Sequence, residues 1–114
     1  MATIIDISTG EPIATHVATA QNYWSRFRGL MLRRQLAPGE ALDIRGDGSI
    51  HMMFMRFPID AVFYDADLRV TRVARGVRPW VGLAFGGRGT KGVIELAAGA
   101  AEGVEPGHQL RIVA

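Results

Sequence analysis

Residues 51–65 read HMMFMRFPIDAVFYD, a mostly apolar run in which Arg56 and Asp60 are embedded. The second half of this run, residues 59–64, is rich in β-branched and aromatic side chains, and residues 69–74 include three β-branched ones. The two segments are joined by Asp65-Ala66-Asp67, and aspartate favours tight turns. We therefore predict an antiparallel hairpin here and a mainly β fold.

In the rest of the chain, apolar and polar residues alternate with a period of two in segments that are bounded by glycine, proline and aspartate. This pattern is typical of short strands. Further strands are predicted over residues 3–8, 13–19, 41–45, 49–55, 92–97 and 109–113, with a second hairpin through Gly46-Asp47-Gly48. The period changes over residues 22–34, where Trp24, Phe27, Leu30 and Met31 share one face of a predicted helix. The predicted fold is α+β and predominantly β, either a small antiparallel β-barrel or a two-layer sheet, with one amphipathic helix packed on it.

Composition limits the class of protein. A chain of 114 residues with 48% hydrophobic and 21% charged residues predicts one globular domain over residues 1–114. The sequence has no cysteine, which excludes disulfides, thiolate catalysis and cysteine-ligated metals. The net charge of +2 is too small to favour nucleic acid as a partner. No leader pattern and no run of 18 apolar residues occur, so we expect no membrane span and a cytoplasmic protein, or an exported one if a leader preceded Met1.

Three charged residues in apolar surroundings are the candidate site residues. Arg56 and Asp60 flank a proline bend, and Glu95 lies inside the apolar strand of residues 92–97. A buried charge needs a partner, so an ion pair or a carboxylate that caps backbone amides is one explanation, with Arg28, Arg33 or Arg56 as a partner for Glu95. The other explanation is catalytic. Asp60 and Glu95 facing each other would form a general acid and base, with Arg56 as an anion clamp.

Other kinds of site have less support. His51, Met53 and Met55 would share one strand face and suit Cu(I), but methionine is also a common filler of core gaps. The histidines lack zinc-site spacing, and the glycine-rich stretch over residues 76–92 lacks the P-loop pattern. We therefore expect no resident metal or cofactor. We predict that the glycine-rich stretch is a long loop, and that Trp80 within it contacts the body of the protein or a partner.

Four segments resemble the DUF192 family in type and order, covering about residues 16–114. They are Arg28-Gly-Leu-Met-Leu-Arg33, Ile50 to Asp65, Val93-Ile-Glu-Leu-Ala-Ala-Gly99 and Gly103-Val-Glu-Pro-Gly107. The resemblance implies a small, largely β, mainly bacterial domain with no agreed biochemical activity. This sequence departs from the family at His108, where aspartate is usual, and near Trp80, where some relatives have cysteine.

Three hypotheses about function remain open. The first is a non-catalytic module that binds a small anionic ligand or a protein partner through the glycine-rich loop and the Arg56 region. The second is a hydrolase or lyase that uses Asp60 and Glu95. The third is an accessory domain that docks on another protein through the loop around Trp80. Oligomeric state does not follow from the sequence.

Overall fold

A computed structural model of the chain describes residues 2–20, 36–46, 49–51, 57–78 and 83–114. These ranges contain nine strands: β1 (Ala2–Asp6), β2 (Glu11–Ala20), β3 (Glu40–Arg45), β4 (Ser49–His51), β5 (Ile59–Tyr64), β6 (Val70–Val77), β7 (Leu83–Phe85), β8 (Gly92–Ala97) and β9 (Leu110–Val113). Strands account for 59% of the described residues, and these residues include no helix, so the prediction of a predominantly β fold is confirmed. The helix predicted over residues 22–34 lies outside the described ranges.

Seven strands form one sheet in the order β6-β5-β8-β3-β2-β1-β9, and β4 and β7 form a second, two-stranded sheet. The β5–β6 hairpin is antiparallel, as predicted, and β1 also pairs with β2 in an antiparallel hairpin. The hairpin predicted between β3 and β4 is wrong. Both edges of β3 are already occupied, by β2 in parallel and by β8 in antiparallel pairing, and β4 pairs with β7 instead.

The large sheet curls until its two edge strands meet at one end. Arg69, just before β6, and Gln109, just before β9, form an antiparallel bridge. Two backbone bonds reinforce this contact, because Val70 N–H donates to His108 C=O at 2.8 Å and Leu110 N–H donates to Leu68 C=O at 2.9 Å. The result is a curled half-barrel, since the edges join at this point and not along their whole length.

Apolar side chains pack on both faces of the sheet. One cluster contains residues of all seven strands, including Ile4, Val62, Ile94 and Leu110. Because the curl brings the strands together on one face only, this cluster fills the concave side. The other cluster lies on the convex side and includes the buried residues Leu36, Ile44, Phe57, Phe63 and Val93, with Ala84 of β7. The central strands β5 and β8 are buried on both faces, which explains their nearly continuous apolar sequences.

The stretch from Gly76 to Gly92 is not one long loop. Its first two residues continue β6 to Val77, and Leu83–Phe85 form β7. Trp80 lies outside the described residues. Residues 98–103 form a succession of tight turns, in which Ala100 N–H donates to Ala97 C=O and Glu102 N–H donates to Gly99 C=O.

Candidate functional site

Asp60 is a buried carboxylate that accepts three backbone hydrogen bonds. The residue lies in β5 and is 1% exposed. One oxygen, Oδ1, accepts from Gly76 N–H at 2.9 Å, and the other, Oδ2, accepts from Gly99 N–H and Ala101 N–H, both at 3.0 Å. Of the two explanations that the sequence left open, this geometry matches the carboxylate that caps backbone amides.

One of the amides that Asp60 caps, Gly76 N–H, is exposed by an irregularity in β6, whereas the other two lie in the turns after β8. Ile59 pairs with Val77 and Ala61 pairs with Ala74, so two residues of β6 face the single position of Asp60. Such a β-bulge leaves an N–H without a ladder partner. Gly76 occupies the bulge with a φ of +61°, a conformation that glycine adopts without steric cost. The carboxylate supplies the acceptor that the ladder lacks.

The structure does not bring Asp60 and Glu95 together. In the pairing of β5 with β8, Asp60 lies opposite Leu96 and Ala61 lies opposite Glu95. Because paired residues project to the same face and successive residues alternate, Asp60 points to the concave side and Glu95 to the convex side. Both carboxylates are buried, but the sheet separates them. An acid–base pair formed by these two residues therefore has no geometric basis.

The other predicted site residues lie outside the described ranges. They include three residues proposed to bind a ligand, Arg28, Arg56 and Trp80, and two residues of the Cu(I) hypothesis, Met53 and Met55. His51, the third residue of that hypothesis, is described only through its backbone in β4. Over the part of the chain that the structure describes, no group of three or more histidine or acidic side chains is arranged to hold a metal ion.

A buried tyrosine–aspartate pair was not predicted from the sequence. The Tyr64 hydroxyl donates to Asp43 Oδ1 at 2.5 Å, and Arg45 Nε lies 3.3 Å from Asp43 Oδ2. Burial raises the pKa of Tyr64 well above its ordinary value, and the hydrogen bond to Asp43 raises it further. The pair joins β5 to β3 across the intervening strand β8.

Gly92 makes this crossing possible. It is the residue of β8 that pairs with Tyr64 on one side and with Arg45 on the other. A Cβ atom on Gly92 would stand 2.3 Å from the Tyr64 hydroxyl oxygen and 2.9 Å from the Ile44 carbonyl oxygen. The only sequence signal for the pair is therefore a glycine at the start of an otherwise branched, apolar strand, and that signal does not identify the partners.

A second pair missed by sequence reasoning joins the two ends of the chain. His108 Nδ1 lies 2.8 Å from Asp6 Oδ2, and the two residues are 102 positions apart. Asp6 is fully buried, and its Oδ1 also accepts from Ser8 N–H at 3.0 Å. His108 therefore supplies a hydrogen-bonding partner for a buried carboxylate at the closure of the half-barrel.

An open depression lies beside the β6 bulge. It has a volume of about 360 Å³ and is lined, among the described residues, by Asp60, Arg75, Gly76, Gly99 and Glu102. The Arg75 Nη2 group donates to Ala101 C=O at 3.3 Å and to Val104 C=O, and it lies 3.5 Å from Glu105 Oε1. We call this depression the Arg75 cleft.

Three basic residues lie in the segments at the other end of β5. Arg45 ends β3, Arg88 lies in the turn between β7 and β8, and Lys91 precedes β8; all three are exposed. Lys91 is fixed next to the end of β3, because its C=O accepts from Gly46 N–H at 2.6 Å and its N–H donates to Tyr64 C=O at 2.8 Å. We call Arg45, Arg88 and Lys91 the basic rim. Within the described ranges, neither Arg88 nor Lys91 forms an ion pair, whereas Arg45 contacts Asp43.

The fold and these contacts define a class of small, curled-sheet β domain in which the buried carboxylates of Asp6, Asp43 and Asp60 are held by backbone amides, a histidine ring or a tyrosine hydroxyl. The chain belongs to the DUF192 family (Uncharacterized ACR, COG1430), whose model matches residues 4–112. No helix among the described residues is long and apolar enough to cross a membrane.

Curated relatives carry the UPF0127 name. The chain is 34% identical over 84 residues to a UPF0127 protein of Thermococcus sibiricus, a match that covers 68% of this chain and 52% of that protein. It is 31% identical over 80 residues to a UPF0127 protein of Pyrococcus furiosus, covering 68% of each. The chain thus spans about half the length of the Thermococcus relative and about two-thirds of the Pyrococcus relative.

Two crystal structures share the fold. One is a protein of unknown function from Novosphingobium aromaticivorans, with a TM-score of 0.80 and 23% identity over 96% of this chain and 82% of that one. The other is a Sinorhizobium meliloti protein provisionally described as a transcription regulator, with a TM-score of 0.78 and 26% identity over 96% of this chain and 90% of that one. At this level of identity the likeness to the first structure concerns the fold alone.

Proposed function

We propose that the protein is a non-catalytic binding module that holds a small anionic ligand at the basic rim. The observation that carries the proposal is that Arg88 and Lys91, two exposed cations without an ion pair among the described residues, lie in the turn that leads into β8, whose first residue pairs with Arg45. Arg45 already has Asp43 as a counter-ion, whereas Arg88 and Lys91 have none among the described residues, so a small anion is attracted to these two side chains.

The backbone around the rim favours a fixed site over a mobile one. Lys91 is held between β5 and β3 by the two backbone bonds described above. Its neighbour Thr90 is tied to β6, because the Thr90 and Thr71 hydroxyl oxygens lie 2.9 Å apart. Rigid support lowers the entropy that binding must overcome, so a small ligand with few contacts can still be bound.

The binding proposal is favoured over the catalytic one for a geometric reason. A hydrolase or lyase that uses Asp60 and Glu95 requires both carboxylates on one face of the sheet, and the register places them on opposite faces. Asp60 also has both oxygens engaged with backbone amides. We retain Arg28, Arg56 and Trp80 as proposed contributors to binding, together with a protein partner at Trp80 as the second candidate.

Titration with inorganic pyrophosphate and with citrate, followed by backbone amide shifts, tests the proposal. We expect shifts at Arg88, Thr90 and Lys91, and an affinity that falls as salt is added because the contacts are exposed. Loss of two charge-assisted contacts in Arg88→Gln/Lys91→Gln should raise the Kd about tenfold, the equivalent of about 1.4 kcal/mol.

Matched variants make the result specific. Arg111→Gln removes an exposed charge on β9 and should leave the Kd within about twofold. Arg56→Ala tests whether the Arg56 region contributes to the same site. An equal response of the Arg88→Gln/Lys91→Gln variant and the wild-type protein to both anions would contradict the proposal. Binding of double-stranded DNA alone, in place of either anion, would favour the activity suggested by the Sinorhizobium description.

A further inference from the structure

We propose that the Arg75 cleft is a second binding site and that it takes a free α-amino acid. The cleft is distinct from the basic rim, because Asp60 lies near the start of β5 and Tyr64, beside the rim, lies at its end. Four residues of extended strand separate the two positions by about 13 Å. No residue is shared between the two sites.

The guanidinium of Arg75 is oriented by the protein and still has donors to offer. Its Nη2 group is anchored by the carbonyl groups of Ala101 and Val104, both in the segment that connects β8 to β9. Within the described part of the chain, its Nη1 and Nε groups have no acceptor. A guanidinium presents donors in a fixed planar fork that matches a carboxylate, so the remaining donors suit the carboxylate of a ligand.

The wall of the cleft is rigid for a separate reason. The three bonds accepted by Asp60 tie the β6 bulge at Gly76 to the turns at Gly99 and Ala101. Asp60 is therefore a positioning residue, since its oxygens are used in holding the two walls together. Gly76 and Gly99 line the cleft, and a Cβ atom on either would meet nothing within 4 Å, so the backbone there borders open space.

The charges on the walls indicate the class of ligand. Arg75 supplies a cation, and Glu102, which is exposed and lines the same cleft, supplies an anion. A ligand with only a carboxylate would face Glu102 as a like charge, whereas the ammonium group of an α-amino acid would pair with it. A volume of about 360 Å³ is near the lower end of the range for small-molecule sites, about 300–1,000 Å³.

Amide-shift titrations with L-alanine and L-leucine test the assignment, with acetate and methylammonium as single-charge controls. We expect the amino acids to shift the amides of Gly76, Gly99, Ala101 and Glu102. Acetate and methylammonium should bind at least about tenfold more weakly, because each satisfies one charge and opposes the other.

Three variants separate binding from stability. Glu102→Gln should weaken amino-acid binding at least about fivefold while leaving the melting temperature unchanged, since this side chain makes no hydrogen bond among the described residues. Arg75→Gln should abolish the shifts, and Glu11→Gln, which alters an exposed glutamate of β2 outside the cleft lining, should leave the Kd within about twofold.

Several results would overturn the proposal. Absence of shifts at the four amides with about 10 mM of either amino acid would exclude binding in the millimolar range. Equal affinity for acetate and L-alanine, or an unchanged Kd in Glu102→Gln, would exclude recognition of the ammonium group. The amides of the basic rim report on Arg88 and Lys91 separately from the amides of the Arg75 cleft. Absence of amino-acid binding in the cleft would therefore not affect the test of anion binding at the rim, and the reverse also holds.

Discussion

Replacing Asp60 with asparagine should destabilise the fold far more than the change of one atom suggests. The carboxylate accepts three backbone bonds, one on Oδ1 and two on Oδ2. An asparagine has one acceptor oxygen, so its NH₂ group must face at least one of the amides that Asp60 now caps. That amide becomes a buried donor opposite another donor, which is costly because neither has access to water.

The magnitude follows from the bonds that are lost or weakened. A hydrogen bond to a charged group contributes about 1.5–3 kcal/mol, and a neutral one about 1 kcal/mol. At the lower end of these ranges, one lost charged bond costs about 1.5 kcal/mol and each of the two converted bonds costs about 0.5 kcal/mol, so the free energy of unfolding should fall by at least about 2.5 kcal/mol. Because small domains are stable by about 5–15 kcal/mol, this loss is a large fraction of the total.

Urea denaturation followed by circular dichroism measures the effect. With a typical m-value of about 1.5 kcal/mol/M, the midpoint should fall by about 2 M. Amide hydrogen exchange should show the greatest loss of protection at Gly76, Gly99 and Ala101, since these are the donors to Asp60.

Asp65→Asn is the matched control. Asp65 accepts from Asp67 N–H and Arg69 N–H through a single oxygen, Oδ1, in the β5–β6 turn, so asparagine retains both bonds. This variant should lie within about 0.5 kcal/mol of the wild-type protein. If Asp60→Asn proves equally mild, Asp60 does not hold the β6 bulge to the β8–β9 turns, and our account of the cleft wall fails with it.

Two further predictions concern the tyrosine that crosses β8. Gly92→Ala should destabilise the protein by about 1–3 kcal/mol, because the new methyl group overlaps the Tyr64 hydroxyl. Thermal denaturation measures this loss of stability. If Gly92→Ala costs as much in a Tyr64→Val background as in the wild-type protein, the contact with Tyr64 is not the cause. The raised pKa of Tyr64 makes stability pH-dependent: the unfolded chain loses this proton near the ordinary value of 10.0, whereas the folded protein keeps it. The folded state then binds more protons, so stability falls as the pH rises above about 10, by up to about 1.4 kcal/mol per pH unit. Urea midpoints between about pH 9 and pH 11 should show this extra loss in the wild-type protein and not in Tyr64→Phe, and parallel profiles would refute the assignment.

The sequence correctly predicted those elements that depend only on residues close together in the chain. The alternating pattern and turn residues correctly predicted the β5–β6 hairpin, and the apolar surroundings of Asp60 correctly indicated a carboxylate in need of partners. It failed where a choice of partner was required. Gly46 resembles a hairpin turn locally, but β3 pairs with β2 and β8, since strand pairing is decided by which edges remain available.

The sequence by itself determined that this protein is predominantly β and where most of its strands lie, because a period of two and turn residues are local properties of the chain. Only the tertiary structure decided the faces and partners of the charged groups. The register of β5 with β8 places Asp60 and Glu95 on opposite sides, and long-range contacts join Asp6 to His108 and Tyr64 to Asp43. These contacts depend on register and on the curl of the sheet, which arise from the packing of distant segments and leave no periodic pattern in the sequence.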